Sequence, residues 1–480
     1  MQLPLERWRQ RSRPLLSIVV PVYNGEPFLD ECLTSARRQD YRRIEIVVVD
    51  DGSTDKSRDI GHRHAKADGR VTVLTQANAG VGEARRAAVA RATGEFLTFL
   101  DADDTLTRGG LLAAMDVLEE TGSDIAVMPY QRQDGAEIRP AAPWIRALHA
   151  EPARHVTLSE RPDVLVNAVA CAKVFRRSFW DSTHLAFPTV LLAGDQIVTA
   201  TAYRDASGID ITDVTGYTWR RQESSISQGH VTAAAVHARQ DAIDAVLDVL
   251  APLPDVRAER ALQYLLHNIP NSLLKLERAD DDYLDALIER VPAIVGAAPA
   301  DRYVSEVPAN YRVLYVLLAH GDRDAIWRYV RAEGMQSEMH PSGAEPAGFT
   351  VYLPGWQSDP VPPESYVLTA EQTALKVRVR RVRAAGPDLL LDVAAWFPNV
   401  ELVAPTLEVR TDDGDFGAVE HGGEPVVFTS RRASERPYPG SAWSVRLPGR
   451  ARRRPGHIEV TLGDAGRVAT ATVRVPAPVT

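Results

Sequence analysis

Two aspartates, Asp101 and Asp103, stand one residue apart directly after an apolar run that ends at Leu100. The run is typical of a buried strand, and carboxylates at the end of such a strand point into the crevice where α/β proteins bind ligands. With one residue between them, both side chains project to the same side of an extended backbone. Oxygen ligands in this arrangement suit Mg²⁺ or Mn²⁺, which keep coordination positions free for phosphate oxygens. The alternative is a plain acidic turn that ends the strand.

The segments that precede these aspartates alternate between strand and helix patterns. Continuous apolar runs, which suit parallel strands covered on both faces, occur at 16–21, 44–50, 71–74 and 95–100. Between them, helical patterns extend over 26–39 and 78–91. Strands that alternate with helices predict a parallel, doubly wound α/β sheet.

Taken together, five motifs resemble those of the family 2 glycosyltransferases, whose catalytic domain has the GT-A (Rossmann-like) fold. The motifs are Ile18-Val-Val-Pro-Val-Tyr-Asn24, Val48-Val-Asp-Asp-Gly-Ser-Thr-Asp55, Asn78-Ala-Gly with Ala84-Arg85, Ala92-Thr-Gly-Glu-Phe96 and Phe99-Leu-Asp-Ala-Asp-Asp104. The resemblance is close over 15–130 and looser over 165–228. It implies an enzyme that binds a nucleotide-diphospho-sugar and transfers the sugar with inversion of the anomeric configuration.

The resemblance also implies which residues bind the nucleotide. The implied pocket consists of Pro21, Tyr23, Asp51, Asn78 and Arg85. Tyr23 would stack on the nucleoside, and Asp51 would accept a hydrogen bond from the base, usually uracil. Arg85 would lie near the diphosphate, whereas Asp50 is open to a purely structural role as a cap.

The acidic run would hold the metal that the resemblance implies, Mn²⁺ or Mg²⁺. Asp103 would bind the metal directly, and Asp101 would contact either the ribose or the metal. Asp104 would lie behind these two aspartates and support them. The metal would offset the charge that builds on the leaving diphosphate. A third protein ligand is not evident, and the candidates for it are His184 and His230.

An inverting transfer also needs a base that takes the proton of the acceptor hydroxyl. The family carries it in a second block, which matches 171–197 here and places the base on Asp195. Relatives commonly have a Glu-Asp pair where this chain has Gly194-Asp195, so the alternative is that Asp195 only caps a helix over 196–203. Lys173 of the same block would either face the acceptor or pair with a carboxylate.

A third segment, 219–227, resembles the aromatic and basic stretch that ends the family's catalytic domain. Within it, Arg220 or Arg221 would steady the diphosphate, and a solvated charge pair is the alternative for either residue. The family's processive synthases carry a Gln-x-x-Arg-Trp motif, which is absent here, so a processive polysaccharide synthase is disfavoured.

Composition is that of a cytoplasmic enzyme with more than one domain. The chain has 480 residues, two cysteines (Cys32 and Cys171) and no apolar stretch of membrane-spanning length, and its first residues lack a signal-peptide core. The mildly basic N-terminus either contacts the inner face of the membrane or is a disordered tail. A net charge of −9 and the lack of a recognisable module argue against nucleic-acid binding.

The pattern changes after residue 230. Apolar residues recur at helical spacing over 231–335, the stretch 336–364 is rich in Pro, Gly and Ser, and seven short β patterns follow. The predicted domains are a tail (1–14), a GT-A domain (15–230), a helical linker domain (231–335), a linker (336–364) and a C-terminal β-sandwich (365–480).

This layout resembles the enzymes that glycosylate wall teichoic acid. The resemblance implies a UDP-sugar donor, a glycan or polyol-phosphate acceptor, and assembly of the β-sandwich into a homo-oligomer, a trimer or dimer. The sandwich also contains clustered arginines, which suit a phosphate-bearing polymer or form ordinary solvated loops. These are Arg431, Arg432, Arg436, Arg450 and Arg452–Arg454.

The sequence therefore predicts a metal-dependent inverting glycosyltransferase that moves a hexose or an N-acetylhexosamine. The alternative is a catalytically inactive, oligomeric polymer-binding protein on the same scaffold, which the Gly194 departure permits. A nucleotidyltransferase is disfavoured, because the expected basic, Gly-rich loop after the first strand is replaced by Tyr23-Asn-Gly-Glu-Pro27.

Overall fold

The structure, a computed structural model, describes residues 13–188, 194–221, 231–386, 388–447, 456–464 and 467–476. The chain divides into two compact units between Gln263 and Tyr264. Across the described ranges, no helix combines the length and the apolar character that a bilayer crossing needs. The domain limits predicted at 230, 335 and 364 stay predictions.

A mixed eight-stranded sheet forms the centre of the first unit, and a small second sheet accompanies it. The strands of the unit are β1 (Leu16–Val22), β2 (Ile44–Asp50), β3 (Val71–Thr75), β4 (Phe96–Phe99), β5 (Thr105–Leu106), β6 (Ile125–Val127), β7 (Tyr130–Asp134), β8 (Glu137–Pro140), β9 (Ala153–Val156), β10 (Lys173–Arg176), β11 (Ile209–Ile211) and β12 (Tyr217–Arg220). The eight-stranded sheet has the order β3-β2-β1-β4-β10-β6-β11-β9, and its first four strands are parallel, as predicted.

The prediction of a wholly parallel sheet is wrong beyond β4. Strand β10 runs antiparallel to both β4 and β6, and β9 runs antiparallel to β11. The chain reaches β10 from a loop at the edge where β4 ends, rather than through a helical crossover. The Thr98 hydroxyl accordingly donates a hydrogen bond of 2.6 Å to the carbonyl oxygen of Lys173. The reversal brings the start of β10 to the same edge as the acidic run.

Helices connect the parallel strands. The helices of the unit are α1 (Glu26–Arg37), α2 (Ser57–Ala67), α3 (Val81–Arg91), α4 (Gly110–Thr121), α5 (Pro143–Ala150), α6 (Arg177–Ser182), α7 (Gly194–Asp205), α8 (Ala233–Val249) and α9 (Pro254–Gln263), with a 3₁₀ turn at Pro162–Val166. Helix α1 buries Leu29, Cys32, Leu33 and Ala36, the apolar face expected from their spacing, and α3 packs against β1 and β2.

The second sheet has the order β5-β12-β7-β8 and carries β12 past the acidic run. Two glycines allow this approach. A Cβ on Gly110, the first residue of α4, would lie 2.2 Å from the Cα of Gly216, which directly precedes β12. A Cβ on Gly216 would lie 2.3 Å from the sulfur of Met128. Side chains at either position would therefore displace β12.

Helices also begin the second unit. They are α10 (Ile269–Leu273), α11 (Asp281–Ala297), α12 (Ala300–Glu306), α13 (Ala309–His320) and α14 (Arg323–Arg331), preceded by a π-helical turn at Tyr264–Asn268. The stretch 336–364, predicted from its composition to be a linker, contains the hairpin of β13 (Ser342–Glu345) and β14 (Gly348–Val351). Val351 and Leu353 are buried there, so this stretch contributes to packing.

The C-terminal strands form a sandwich of antiparallel sheets, as predicted. The strands are β15 (Lys376–Ala385), β16 (Asp388–Trp396), β17 (Thr406–Thr411), β18 (Ala418–His421), β19 (Val426–Thr429), β20 (Glu435–Tyr438), β21 (Ala442–Leu447), β22 (His457–Asp464) and β23 (Arg467–Arg474). One sheet has the order β15-β16-β21-β18, the other β17-β22-β23, and β19 pairs with β20. Leu391 and Val445 of the first sheet share a core with Val460 of the second.

Replacement of Gly110 by Ala should destabilise the first unit, because the new methyl group meets backbone that cannot move aside freely. Overpacking of this kind typically costs about 1–3 kcal/mol. The free energy of unfolding, measured by urea denaturation, should fall by an amount in that range. Gly69→Ala is the control, since a Cβ there meets nothing within 4 Å. A Gly110→Ala protein as stable as the control would show that this close approach is not required.

Candidate active site

The loops that follow β1, β2, β3 and β4 lie at one edge of the sheet, because the carboxyl ends of parallel strands coincide. This edge contains four of the five motifs, and the exception is the motif at 92–96, which leads into β4 beside the start of β1. Tyr23 follows β1 and is 53% exposed, so its ring is open to a stacking partner. Pro21 lies within β1 in register with Val49 and is buried.

Asp50 is the last residue of β2 and Asp51 is the next residue, but their carboxylates have different partners. The Asp50 carboxylate is fully buried and accepts hydrogen bonds from the backbone nitrogen of Ser53 (3.1 Å) and from Nε of Arg58 (3.0 Å). It holds the turn, which is the structural alternative raised for Asp50. The Asp51 carboxylate accepts hydrogen bonds instead from the loop that leads into α3.

Asp51 organises the loop at 76–80. Its Oδ1 accepts hydrogen bonds from Nε2 of Gln76 (2.7 Å) and from the backbone nitrogen of Ala79 (2.9 Å), and its Oδ2 accepts one from the backbone nitrogen of Gly80 (2.8 Å). Asn78 of this loop is exposed. The position of Asn78 and the start of α3 therefore both depend on the Asp51 carboxylate.

Arg85 joins the two halves of the site. It lies on α3, it is 4% exposed, and its guanidinium donates to Oδ1 of Asp101 and to Oδ1 of Asp195, each at 2.6 Å. The ring of Phe187 lies 4.7 Å from the guanidinium carbon. Burial alone would lower the pKa of Arg85, but the charges of Asp195 and Asp101 raise it well above its usual value. The guanidinium therefore stays charged and fixes both carboxylates.

Asp195 lies in the first turn of α7, a helix that extends over 194–205 rather than the predicted 196–203. Its Oδ1 binds Arg85, and its Oδ2 accepts a hydrogen bond of 3.3 Å from the backbone nitrogen of Ala170. These bonds run to residues outside α7, which favours a role in the site over a helix cap. The side chain is 27% exposed, so a substrate hydroxyl can reach it.

The acidic run folds back on itself and is shared with β12. The backbone nitrogen of Asp104 donates to the carbonyl oxygen of Asp101. The buried Asp104 carboxylate accepts hydrogen bonds from the hydroxyl of Tyr217 (2.6 Å) and from the backbone nitrogen of Arg220 (2.7 Å). The Tyr217 hydroxyl in turn accepts one from the backbone nitrogen of Asp101 (3.3 Å).

Negative charge is crowded in this run. Burial, together with the charges of Asp101 and Asp103, raises the pKa of Asp104 to about 8, and burial and Asp101 also raise the pKa of Asp103. Within the described residues, no three acidic, His or Cys side chains are arranged as a complete metal site. A divalent cation shared by two protein carboxylates and a diphosphate would offset this crowded negative charge. Asp101 and Asp103 therefore fit such an ion.

The remaining candidates from the sequence are the cations Arg220 and Arg221 and the metal-ligand candidates His184 and His230. The Arg220 guanidinium lies 2.7 Å from Oε2 of Glu31 and 5.1 Å from the ring centre of Phe28, on the side of α1. The backbone nitrogen of Arg221 donates to the carbonyl oxygen of Gln133. His184 follows α6 in a left-handed conformation, and His230 lies outside the described residues.

Lys173 lies beneath the site rather than in it. It is fully buried, and its Nζ donates to Oδ1 of Asn167 (2.9 Å) and to the carbonyl oxygen of Val169. Burial lowers the pKa of Lys173 to about 7. The side chain therefore supports the loop that holds Ala170, whose backbone nitrogen binds Asp195.

Three residues of the site have no predicted role in the sequence: Tyr217, Asn167 and Phe187. Tyr217 ties β12 to the acidic run, and Asn167 binds Lys173 and the carbonyl oxygen of Met128. Phe187 packs under Arg85 and against Phe99, with ring centres 4.9 Å apart. Only Phe187, within the second motif block, left a signal in the sequence.

Comparison with known proteins identifies the first unit. Residues 17–182 match the model of Glycosyl transferase family 2. The uncharacterized glycosyltransferase EpsJ of Bacillus subtilis is 30% identical over 223 residues, which are 45% of this chain and 63% of that protein. The poly(ribitol-phosphate) beta-N-acetylglucosaminyltransferase TarS of Staphylococcus aureus is 28% identical over 299 residues, 58% of this chain and 51% of TarS. The chain thus matches between one half and two thirds of the length of these relatives.

Solved structures of S. aureus TarS share the fold. One TarS structure matches with a TM-score of 0.61 at 17% identity, and the match covers 96% of this chain and 77% of the TarS chain. For TarS 1–349 in complex with UDP-GlcNAc the TM-score is 0.56 at 22% identity, over 72% of this chain and 98% of that one. The predicted resemblance is confirmed: the chain carries a family 2 glycosyltransferase domain and is similar in sequence and in fold to TarS.

Proposed function

We propose that the protein transfers a hexose or an N-acetylhexosamine from a UDP-sugar to a hydroxyl group of a glycan or polyol-phosphate polymer, with inversion. One observation carries the proposal: the guanidinium of Arg85 holds together Asp101 and Asp195, the candidate donor-side carboxylate and the candidate base. TarS, which is named for transfer to poly(ribitol-phosphate) and was solved with UDP-GlcNAc, supports the choice of donor and acceptor.

The donor would bind across the loops that follow β1, β2 and β3. Tyr23 offers an exposed ring for the uracil base. Asp51 already accepts three hydrogen bonds from the loop at 76–80, and a carboxylate has about four acceptor positions, so one position is left for the base. The diphosphate would then lie near Arg85 and the acidic run.

Asp195 would act as the base in a single displacement. The acceptor oxygen attacks the anomeric carbon from the face opposite the diphosphate, Asp195 takes the hydroxyl proton, and UDP departs with the bonding electron pair. Arg85 and the backbone nitrogen of Ala170 hold the carboxylate in one orientation during this step. Lys173 acts indirectly, because it supports the loop that contains Ala170.

Asp101 and Asp103 would hold Mn²⁺ or Mg²⁺. When bound, such an ion offsets the negative charge that develops on the leaving diphosphate. The raised pKa of Asp103, caused by burial and by Asp101, supports this assignment, since a nearby cation would relieve both effects. Asp104 is committed to Tyr217 and Arg220 and would act by fixing the run.

The proposal also extends to location and assembly. A cytoplasmic enzyme, either free or at the inner face of the membrane, would meet UDP-sugars and the growing polymer. The β-sandwich would assemble the chain into a trimer or dimer. Both points rest on the resemblance to the enzymes that glycosylate wall teichoic acid, and the fold shared with TarS is what supports that resemblance.

Asp195→Asn should abolish turnover and leave donor affinity nearly intact, because the amide keeps the shape but cannot take the proton. Loss of a general base typically lowers kcat by about 10²–10⁴-fold. UDP release from a panel of UDP-sugars gives the rate, and calorimetric titration with UDP gives the affinity. Asp181→Asn, at an exposed carboxylate on α6, is the control. Wild-type turnover in Asp195→Asn would remove this residue as the base.

Asp103→Asn should abolish the metal-dependent part of UDP binding, because a neutral amide is a poor ligand for Mg²⁺ or Mn²⁺. The affinity for UDP is measured with Mn²⁺ and again with EDTA, and the ratio should approach one in the variant. Asp116→Asn, an exposed carboxylate of α4, serves as the control. An unchanged ratio in Asp103→Asn would contradict the metal assignment.

Arg85→Lys should lower kcat/KM for the donor at least tenfold, because an ammonium group cannot reproduce the planar fork that binds two carboxylates. The neighbouring Arg86→Lys is a matched control on the same helix, where Arg86 pairs with Glu83 at the surface. Steady-state kinetics should separate the two variants, and thermal melting shows that both are folded at the assay temperature. Equal kinetics for both would exclude Arg85 as the link between donor and base.

A further inference from the structure

Strand β15 carries five cations within eight residues and no acidic side chain, in a chain whose net charge is −9. They are Lys376, Arg378, Arg380, Arg381 and Arg383, here called the cation row, and all are exposed. Residues two apart on a strand are about 7 Å apart, so the row presents positive charge along a line rather than at a point.

A β-bulge keeps the row on the surface. The register with β16 shifts between Val379 and Arg381. Regular alternation would turn Arg381 inward and Val382 outward, but the extra residue restores Val382 to the core, where it is 1% exposed, and leaves Arg381 outside. The fold thus accommodates two consecutive arginines without burying a charge.

The row is only partly neutralised by its own unit. Arg383 pairs with Asp392 at 2.6 Å, and Arg380 donates to the carbonyl oxygens of Glu424 and Pro425. For the remaining three cations of the row, the described part of the chain supplies no carboxylate within ion-pair distance. Positive charge therefore remains for an outside anion.

A groove adjoins the row. Strand β15 is the last strand of its sheet and β23 the last strand of the other, and a groove of about 520 Å³ lies between them. Four valines, two exposed arginines and one proline line it, and none of these side chains is aromatic. Its apolar lining is Val377, Val379, Val473 and Val475, and its charged lining is Arg378 and Arg474.

We infer that the cation row and this groove bind an extended polymer of polyol phosphates. Arginines select phosphate oxygens, and valines suit the carbon chain of a polyol. A groove without aromatic rings offers no surface for stacked bases, which disfavours single-stranded nucleic acid. The choice of polymer rests on the proposed function, but the surface lies outside the candidate active site and makes a binding prediction of its own.

Charges on an outer strand have a second explanation, since they prevent edge-to-edge pairing of sheets. That role predicts aggregation when the charges are removed, and no effect on polymer affinity. The experiment therefore follows affinity and aggregation separately.

The test uses the full chain and a fluorescein-labelled poly(ribitol phosphate) oligomer, followed by fluorescence anisotropy at several salt concentrations. The triple variant Lys376→Gln, Arg378→Gln, Arg381→Gln should bind at least tenfold more weakly. The slope of log K against log salt should fall by about 2, because each lost phosphate contact releases about 0.7 fewer counterions. Light scattering should show the same monodispersity as the wild type.

Two further variants and one further ligand make the result decisive. Arg323→Gln, Arg328→Gln, Arg331→Gln on α14 removes the same charge elsewhere and should keep wild-type affinity. The charge-preserving pair Arg378→Lys, Arg381→Lys should bind with an affinity between those of the wild type and the β15 triple variant, because ammonium groups keep the charge but not the guanidinium fork. Single-stranded DNA of equal charge should bind more weakly than the polyol phosphate. The inference is overturned by unchanged affinity in the β15 triple variant, by an equal loss in the α14 variant, or by equal affinity for DNA.

UDP release without any polymer, measured on the same samples, keeps this test apart from the proposed function. If the protein binds the polymer but turns over no donor, the inferred binding surface is supported and the proposed catalysis is contradicted. If the β15 variant turns over the donor normally and binds the polymer as tightly as the wild type, the proposed catalysis is supported and the inferred binding surface is contradicted.

Discussion

The site depends on a single buried cation. Arg85 binds Asp101 and Asp195, whose positions in the chain are 94 residues apart, and it is almost entirely shielded from water. An unpaired guanidinium at that depth would cost several kcal/mol, so the two carboxylates of the candidate site also stabilise the fold. Both acids can stay close to each other because the charge between them is positive.

The path of the chain explains how these groups meet. Parallel strands deliver the loops after β1, β2 and β4 to one edge, and the reversed β10 begins at that edge instead of ending there. The loop before β10 can therefore present Ala170 to Asp195, with Lys173 and Asn167 packed below. A fully parallel sheet would have placed this loop at the opposite edge.

The fold and the site were predictable from sequence to different extents. Strands β1–β4, the apolar face of α1 and the seven principal β patterns of the sandwich follow from local periodicity, which reports burial directly. The direction of β10 does not, since it depends on the route of a long connection. The hydrogen bonds of Tyr217 to Asp104 and of Lys173 to Asn167 also could not be predicted from periodicity. Tertiary packing determines which buried polar groups become partners, and these pairs leave no periodic pattern in the sequence.

The bulge in β15 has an evolutionary consequence. Because the shift at Val379 and Arg381 sets which side chains face the core, a one-residue insertion or deletion in the first half of the strand would exchange valines for arginines along that whole stretch. Substitutions among the exposed positions carry no such penalty. This strand can therefore change its charge freely over generations but not its length, and drift in ligand preference at this surface would proceed through point substitutions alone.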